Sequence, residues 1–255
     1  MTEPVFMTNR LSVVFGGLAA LNGLDLTIGT GEIVALIGPN GAGKTTAFNA
    51  ITGNVKPTAG SVTFRGKDIT GWSAPSIARF GIARTFQQIR LYGDLTVIEN
   101  VMVAGHSSIR YSFLEAIVGG GRFSRDERRI REQAEHLLEL TGLIDAANDK
   151  AHFLPYGSQR KLEMARALAL DPLLLLLDEP VAGMNPIETR EFGELLGRLH
   201  QDLQLTTCLI EHDMGFVMDI CQKIKVLDHG VPIAFGAPDD VRADKRVIAA
   251  YLGEG

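Results

Sequence analysis

The sequence predicts an α/β protein with a mainly parallel sheet, an antiparallel β subdomain and an inserted α-helical subdomain. Continuous apolar runs at 32–37 and 173–177 are typical of parallel strands covered on both faces. The first thirty residues show strand patterns separated by glycine turns, which favours antiparallel pairs. Residues 95–161 have mostly helical spacing. We therefore predict a single domain in which 1–94 and 162–255 form the α/β core and 95–161 the helical subdomain.

The elements before residue 70 are predicted from apolar patterns and turn residues. Gly16 and Gly17 separate the first two strands, and Arg65 with Gly66 can turn a short hairpin. The Gly-rich segment from Gly38 to Gly43 separates a buried strand from a helix. The predicted strands are 11–15, 24–28, 32–37, 62–64 and 67–69, the predicted turn is 58–60, and the predicted helix is 45–51.

The later elements are predicted from helical spacing and from the residues that stop it. Ser124 and Glu127 have the spacing of a capping box, and Gly142 can end the helix that they begin. Pro172 disfavours a helical conformation at Asp171 and so ends the helix that precedes it. The predicted helices are 95–105, 124–140, 162–170, 187–200 and 241–252, and the predicted strands are 173–177, 205–210, 224–227 and 231–235.

Composition narrows the classes of function. The 255 residues are 45% hydrophobic and 22% charged, which describes a globular protein. A net charge of −5 argues against nucleic acid as the main ligand. The first residues do not resemble a signal peptide, and the run Leu173–Leu177 is far shorter than the roughly 20 residues of a membrane span. We therefore expect a cytoplasmic protein that reaches a membrane only through partners.

The segment from Gly38 to Thr46 has the pattern G-x-x-x-x-G-K-[ST] of a P-loop, between a predicted strand and a predicted helix. Glycines let the backbone approach a phosphate closely, and the helix N-terminus adds partial positive charge. Lys44 is then expected to reach the outer phosphates and the Thr45 hydroxyl to bind Mg²⁺. The sequence thus predicts a P-loop NTPase core whose nucleotide contacts are Pro39, Asn40, Gly41, Ala42, Gly43, Lys44, Thr45 and Thr46.

A second candidate site follows the leucine run that ends at Asp178 and Glu179. Acids in this position lie at the carboxyl end of a parallel strand, where open α/β sheets build their sites. We expect Asp178 to hold Mg²⁺ and Glu179 to polarise the attacking water.

A third motif is Leu154-Pro155-Tyr156-Gly157-Ser158-Gln159-Arg160-Lys161-Leu162, about twenty residues before Asp178. Together with the P-loop it resembles the signature segment of ABC-type ATPases, and the resemblance covers essentially the whole chain. The resemblance assigns adenine stacking to Phe15, the Q-loop glutamine to Gln87, the D-loop to Met184-Asn185, and the switch histidine to His212. It also implies that Tyr156, Gly157 and Ser158 contact a nucleotide and that Gln87 senses Mg²⁺ and water.

Details of these motifs resemble the ATPase subunits of branched-chain amino acid importers, and the long segment 106–123 resembles the larger of their two ATPases. Pro155 departs from the family pattern, because the usual serine hydroxyl is missing there. A proline in the first turn of the helix would still leave Gly157 and the helix N-terminus free to face a phosphate. The alternatives are an ATPase of lipopolysaccharide or lipid export and a soluble non-transport ABC ATPase.

The resemblance implies that two ATPase subunits pack head to tail, as a homo- or heterodimer. Each ATP would lie between one subunit's P-loop and the other's signature segment. Two transmembrane permease subunits would hold the dimer at the cytoplasmic face of the cell membrane, with a solute-binding protein as an indirect partner and no nucleic acid. A groove near Leu91–Val97 would receive the permease.

Overall fold

Two β-sheets and a set of helices form the part of the chain that the computed structural model describes, residues 4–106 and 121–252. The strands are β1 Pro4–Phe15, β2 Leu18–Gly29, β3 Ile33–Ile37, β4 Ala59–Phe64, β5 Lys67–Asp68, β6 Ile82–Arg84, β7 Leu174–Asp178, β8 Thr207–Ile210, β9 Lys223–Asp228 and β10 Val231–Gly236. The helices are α1 Lys44–Ile51, α2 Ala74–Arg79, α3 Val97–His106, α4 Gly121–Thr141, α5 Tyr156–Leu168, α6 Pro186–Leu203, α7 Met214–Ile220, α8 Pro238–Ala243 and α9 Lys245–Leu252, with single 3₁₀ turns at Ile144–Ala146 and Ala151–Phe153.

The larger sheet has the strand order β10-β9-β3-β8-β7-β6, with all neighbours parallel except β10, which pairs with β9 antiparallel. Every residue of β3 and β7 is buried. Alternate side chains of these strands belong to two different hydrophobic clusters, one on each face of the sheet. Two covered faces explain why both strands are continuous apolar runs.

The smaller sheet is antiparallel, with the order β2-β1-β4-β5. Its inward side chains, such as Phe6, Leu26 and Phe64, share one cluster with α1 and with one face of the larger sheet. The opposite face of the larger sheet packs against helices that include α3, α4, α5 and α6. The carboxyl ends of β3, β7 and β8 meet at one edge, since Leu36 and Asp178 both pair with Ile210. This edge positions the site.

Helices α3, α4 and α5 pack on one another and contain most of the predicted helical subdomain. The predicted boundary between residues 161 and 162 falls inside α5, which continues unbroken to Leu168. Within the described residues, no helix is both long and apolar enough to cross a membrane. Most of the segment 106–123 that resembles the larger importer ATPase lies outside the described residues.

Three sequence predictions about local structure are wrong. Helix α4 spans Gly121–Thr141, so Ser124 lies inside the helix and not at the predicted N-cap position. The predicted closing helix is two helices, because Asp244 is extended and its carboxylate accepts a hydrogen bond from the Arg246 backbone N–H at 2.8 Å. Two of the three residues in the predicted turn 58–60, Ala59 and Gly60, begin β4. Helices α2 and α7 and strand β6 were not predicted.

Candidate functional site: a phosphate cavity at the carboxyl edge of the sheet

The loop between β3 and α1 has a backbone that only glycine fits at two positions. Gly38 and Gly43 both have positive φ, 150° and 95°. A Cβ on Gly38 would lie 2.1 Å from the Leu227 carbonyl oxygen, and one on Gly43 would lie 2.4 Å from the Ala20 carbonyl oxygen. The loop is therefore packed tightly on two neighbouring strands, and Gly43 directly precedes the N-terminus of α1.

This loop forms one wall of a cavity of about 200 Å³. Its position at the N-terminus of α1 suits an anion, because unpaired backbone N–H groups and the helix dipole both attract negative charge. The first turn of α1 contains no acidic residue that would oppose an anion. A phosphate group fits these surroundings. The residues lining this phosphate cavity are Ala20, Asn40, Gly41, Ala42, Gly43, Lys44, Thr45, Thr46, Glu179 and His212.

Lys44 is a buried cation at the first position of α1. Its Nζ donates to the carbonyl oxygens of Gly38, at 2.6 Å, and Pro39, at 2.9 Å. Pro39 is not among the residues lining the cavity, and its predicted contact with nucleotide stays a prediction. These contacts hold the ammonium group beside the phosphate cavity.

Glu179 is the central acid of the cavity. Its carboxylate accepts a hydrogen bond from Gln87 Nε2 at 2.8 Å and lies 3.1 Å from His212 Nε2. The fold thus brings together three predicted residues that are 92 and 33 positions apart in sequence. Glu179 has a φ of 49°, an uncommon value for a residue with a side chain and one that concentrates at functional sites.

Asp178 is buried and is not among the residues that line the cavity. Its carboxylate forms a buried ion pair with Arg84 at 2.6 Å. The other guanidinium nitrogen of Arg84 donates to Asn49 at 2.8 Å and to Thr52 at 3.2 Å, both at or near the end of α1. Arg84 therefore connects the end of β7 to the helix that follows the P-loop, a role that no sequence motif indicated.

A magnesium site was predicted from Thr45, Gln87 and Asp178. Of these, Thr45 lines the cavity, and Asp178 directly precedes Glu179, which also lines it. The described residues contain no group of three His, Cys, Asp or Glu side chains that could bind a metal by themselves. A hydroxyl, an amide oxygen and a carboxylate are all oxygen donors, which suit a Mg²⁺ ion that also takes water and phosphate ligands. The donor set fits the ion.

Glu211 is a buried acid of this edge that sequence analysis missed. Its carboxylate accepts hydrogen bonds from the backbone N–H groups of Val181 and His212, both at 2.9 Å, and Asp213, at 3.3 Å. Burial raises the pKa of Glu211, and these hydrogen bonds oppose the rise. Glu211 therefore connects the backbone two residues after Glu179 with the backbone at His212. The motif Glu211-His212 was visible in the sequence, but only the histidine was assigned a role.

The predicted signature residues Tyr156, Gly157 and Ser158 form the first turn of α5 and do not line the phosphate cavity. Pro155 precedes this turn in the N-cap position, so it is not inside the first turn as predicted. Asn185 caps α6: its side chain accepts from the backbone of Ile187 and Glu188, and Glu188 bonds back to the Asn185 N–H. Contact of any of these residues with a nucleotide stays a prediction.

Phe15 lies at the turn between β1 and β2, with half of its surface exposed. Val14 and Leu18 beside it are also exposed. Five residues further on, Ala20 lines the phosphate cavity. An exposed apolar ring at this distance along the chain suits a flat base, and its contact with adenine stays a prediction.

Comparison with known proteins extends over the whole chain. Residues 21–182 match the family model described as ABC transporter, and residues 231–255 match the model described as branched-chain amino acid ATP-binding cassette transporter. The chain is 45% identical over 254 residues to the high-affinity branched-chain amino acid transport ATP-binding protein LivG of Salmonella typhimurium, with full coverage of both. It is 31% identical over 250 residues to the lipopolysaccharide export system ATP-binding protein LptB of Haemophilus influenzae, covering 98% of each.

Two solved structures show the same fold. The ADP conformation of MJ1267, an ATP-binding cassette of an ABC transporter, has a TM-score of 0.86 and 30% sequence identity, covering 99% of this chain and 100% of that one. A dimeric post-hydrolysis state of the ATP-binding cassette MJ0796, bound to ADP and phosphate, has a TM-score of 0.75 and 25% identity, covering 91% and 98%. The predicted fold class is confirmed.

Proposed function

Because this chain belongs to the ABC transporter family and is an ATPase of that family, we propose that it powers the import of branched-chain amino acids across a membrane. The identity to LivG over the full length of both chains supports this substrate class. The lower identity to LptB, and the match of residues 231–255 to a branched-chain amino acid transporter model, favour import over lipid export.

One observation carries the proposed chemistry: Glu179 faces the phosphate cavity with hydrogen bonds to both Gln87 and His212. A carboxylate held on two sides can accept a proton from water at a fixed position. Phosphoryl transfer depends mainly on such positioning and on charge stabilisation. We assign Glu179 as the base, Gln87 as the residue that orients the carboxylate and the attacking water, and His212 as a donor to the terminal phosphate.

The remaining roles follow from the same cavity. Lys44 and the backbone N–H groups of residues 41–46 bind the β- and γ-phosphates, and Phe15 offers its exposed ring to adenine. Thr45, Asp178 and Gln87 would hold Mg²⁺, which when bound offsets part of the phosphate charge. The ion pair between Arg84 and Asp178 fixes the acid's position next to Glu179.

The proposed assembly is a head-to-tail dimer, which the dimeric structure of the related cassette supports. In it, residues Tyr156, Gly157, Ser158 and Asn185 contact the nucleotide bound by the other subunit. The permease would dock near Leu91–Val97. Two exposed aromatic side chains, Tyr92 and Phe153, support this docking face, and the adjacent His152 bonds to the Gly93 carbonyl at 2.7 Å. Docking there would place the chain at the cytoplasmic face of the membrane.

The test uses cells of the source organism that lack this gene and carry either the wild-type chain or the Glu179→Gln variant. Uptake of labelled leucine by these cells is measured. We expect only the wild type to restore leucine uptake, while uptake of an unrelated solute stays the same in both. If leucine uptake is the same with both chains, and uptake of a different solute is lost with Glu179→Gln, the proposed substrate class is contradicted. Failure of the purified chain to hydrolyse ATP would contradict the assigned site.

A further inference from the structure

Arg160 lies in the second turn of α5, four residues after Tyr156, and is only 4% exposed. A buried guanidinium needs hydrogen-bond acceptors on several sides. Arg160 donates to the Phe86 carbonyl oxygen at 3.1 Å, to the Gln87 carbonyl oxygen at 2.6 Å and to Tyr156 Oη at 3.0 Å. It thus binds the backbone of the residue whose side chain holds Glu179.

Tyr156 continues the connection to a third segment. Its hydroxyl accepts from Arg160 and donates to the Ala182 carbonyl oxygen at 2.7 Å. Gly183, the next residue, has a φ of 81°, and a Cβ there would lie 3.2 Å from Tyr156 Oη. The tyrosine therefore packs closely on the short segment between Glu179 and Asn185.

Glu163 balances the charge of this group. It lies 3.2 Å from Arg160 and is buried, and burial raises its pKa while Arg160 opposes the rise. The three side chains of Tyr156, Arg160 and Glu163, named here the α5 cluster, all belong to α5. Their acceptors include two other segments, 86–87 and 182. Lysine at position 160 would keep the charge but could not donate in a fixed fork to these carbonyls.

We propose that the α5 cluster is a positioning device that holds Gln87 and the segment 182–185 in register with the signature turn of the same chain. This inference rests on the proposed roles of Gln87, Glu179 and the signature segment. In the head-to-tail dimer the signature turn faces the partner's nucleotide, whereas Gln87 serves the chain's own. The α5 cluster therefore couples closure on one nucleotide to the arrangement of the catalytic groups at the other.

The test compares Tyr156→Phe and Arg160→Lys with Arg166→Lys, in the full-length chain. Arg166 is a matched control because it is a partly buried arginine of the same helix that donates to a loop carbonyl, that of Arg90, and stacks on Tyr92. We expect the first two variants to lower kcat for ATP hydrolysis about 10- to 100-fold, the range found when a catalytic group is misplaced. For Arg160→Lys, the KM for ATP and the binding of ATP should change by less than about threefold, because neither the P-loop nor a proposed nucleotide contact is altered.

A second readout separates positioning from stability. In a Glu179→Gln background, Arg160→Lys should raise the ATP concentration needed for dimer formation, measured by size-exclusion chromatography. Without the Glu179 substitution, Arg160→Lys should lower the Hill coefficient of ATP hydrolysis. Equal effects on kcat in Arg166→Lys, or unchanged kcat and Hill coefficient in both cluster variants, would overturn the proposal. If Glu179→Gln alone keeps normal turnover, it is the proposed catalytic site that fails.

Discussion

The phosphate cavity and the α5 cluster are built in opposite ways. Most of the residues that line the cavity come from one continuous segment, Asn40–Thr46, whose backbone is shaped by glycines. The α5 cluster is made of side chains that bind carbonyls more than 20 positions away in sequence. The cavity thus takes most of its lining from one local segment, whereas the groups that we propose act on the phosphate are positioned by contacts between distant segments.

The largest effect is expected from a substitution of Glu179, which tests whether this acid is the catalytic group of the cavity. Glu179→Gln should lower ATP turnover by about 10²–10⁴-fold, because an amide cannot accept the proton from water. ATP binding should persist, since the P-loop and Lys44 are unchanged, and ATP should trap a dimer. Phosphate release and size-exclusion chromatography with ATP measure the two properties. Near-normal hydrolysis would contradict the role of Glu179.

The second-largest effect is expected at the ion pair between Arg84 and Asp178. It tests whether the cavity, like the α5 cluster, depends on a contact between side chains that are distant in sequence. Arg84→Met should lower the free energy of unfolding by about 3–5 kcal/mol, because it leaves the Asp178 carboxylate buried without a cation. Urea denaturation provides the measurement.

The matched control is Arg84→Met combined with Asp178→Asn, which removes the charge that the first change strands. The double variant should be more stable than Arg84→Met alone. Equal instability of the single and double variants would show that lost packing of Arg84 against Phe48 and Phe86, and not an unpaired charge, causes the effect.

A smaller effect separates two roles of Asn185 beside the α5 cluster. Asn185→Ala should lower the free energy of unfolding by about 1 kcal/mol, because the capping box of α6 is lost. Asn185→Ser keeps a capping oxygen and should be close to wild type in thermal stability. If Asn185→Ser still lowers ATP hydrolysis, the amide has a role with nucleotide beyond capping; unchanged hydrolysis would limit Asn185 to the cap.

The smallest effect concerns Pro155, at the N-terminus of the helix that carries the α5 cluster. Pro155→Ser should change stability by less than about 1 kcal/mol, because a better N-cap offsets the greater freedom of the unfolded chain. ATP hydrolysis should stay within about threefold of wild type, since Gly157 and the helix N-terminus remain in place. A large loss of activity would show that the proline shapes the signature turn.

Some elements of this protein could be predicted because their causes are local. The strand β3, the P-loop and α1 follow one another within twenty residues, and each is specified by its own apolar pattern or glycine spacing. The acids at the end of β7 could likewise be placed, because the leucine run before Asp178 is short and follows Asp171-Pro172, which favours a buried strand over a helix. The helix boundaries were less predictable: Asp244 splits the last helix through a bond from its own side chain to nearby backbone.

Local patterns thus determined the nucleotide loop, the fold class and the strand-end acids, because glycine freedom, apolar periodicity and helix termini act over a few residues. Only the tertiary structure decided that Arg84 pairs with Asp178, that Glu211 ties two loops together and that Arg160 binds the Gln87 backbone. The physical reason is burial. A charged side chain inside a protein takes whichever hydrogen-bond donors or acceptors the folded chain brings within about 3 Å, and those partners have no fixed spacing in sequence.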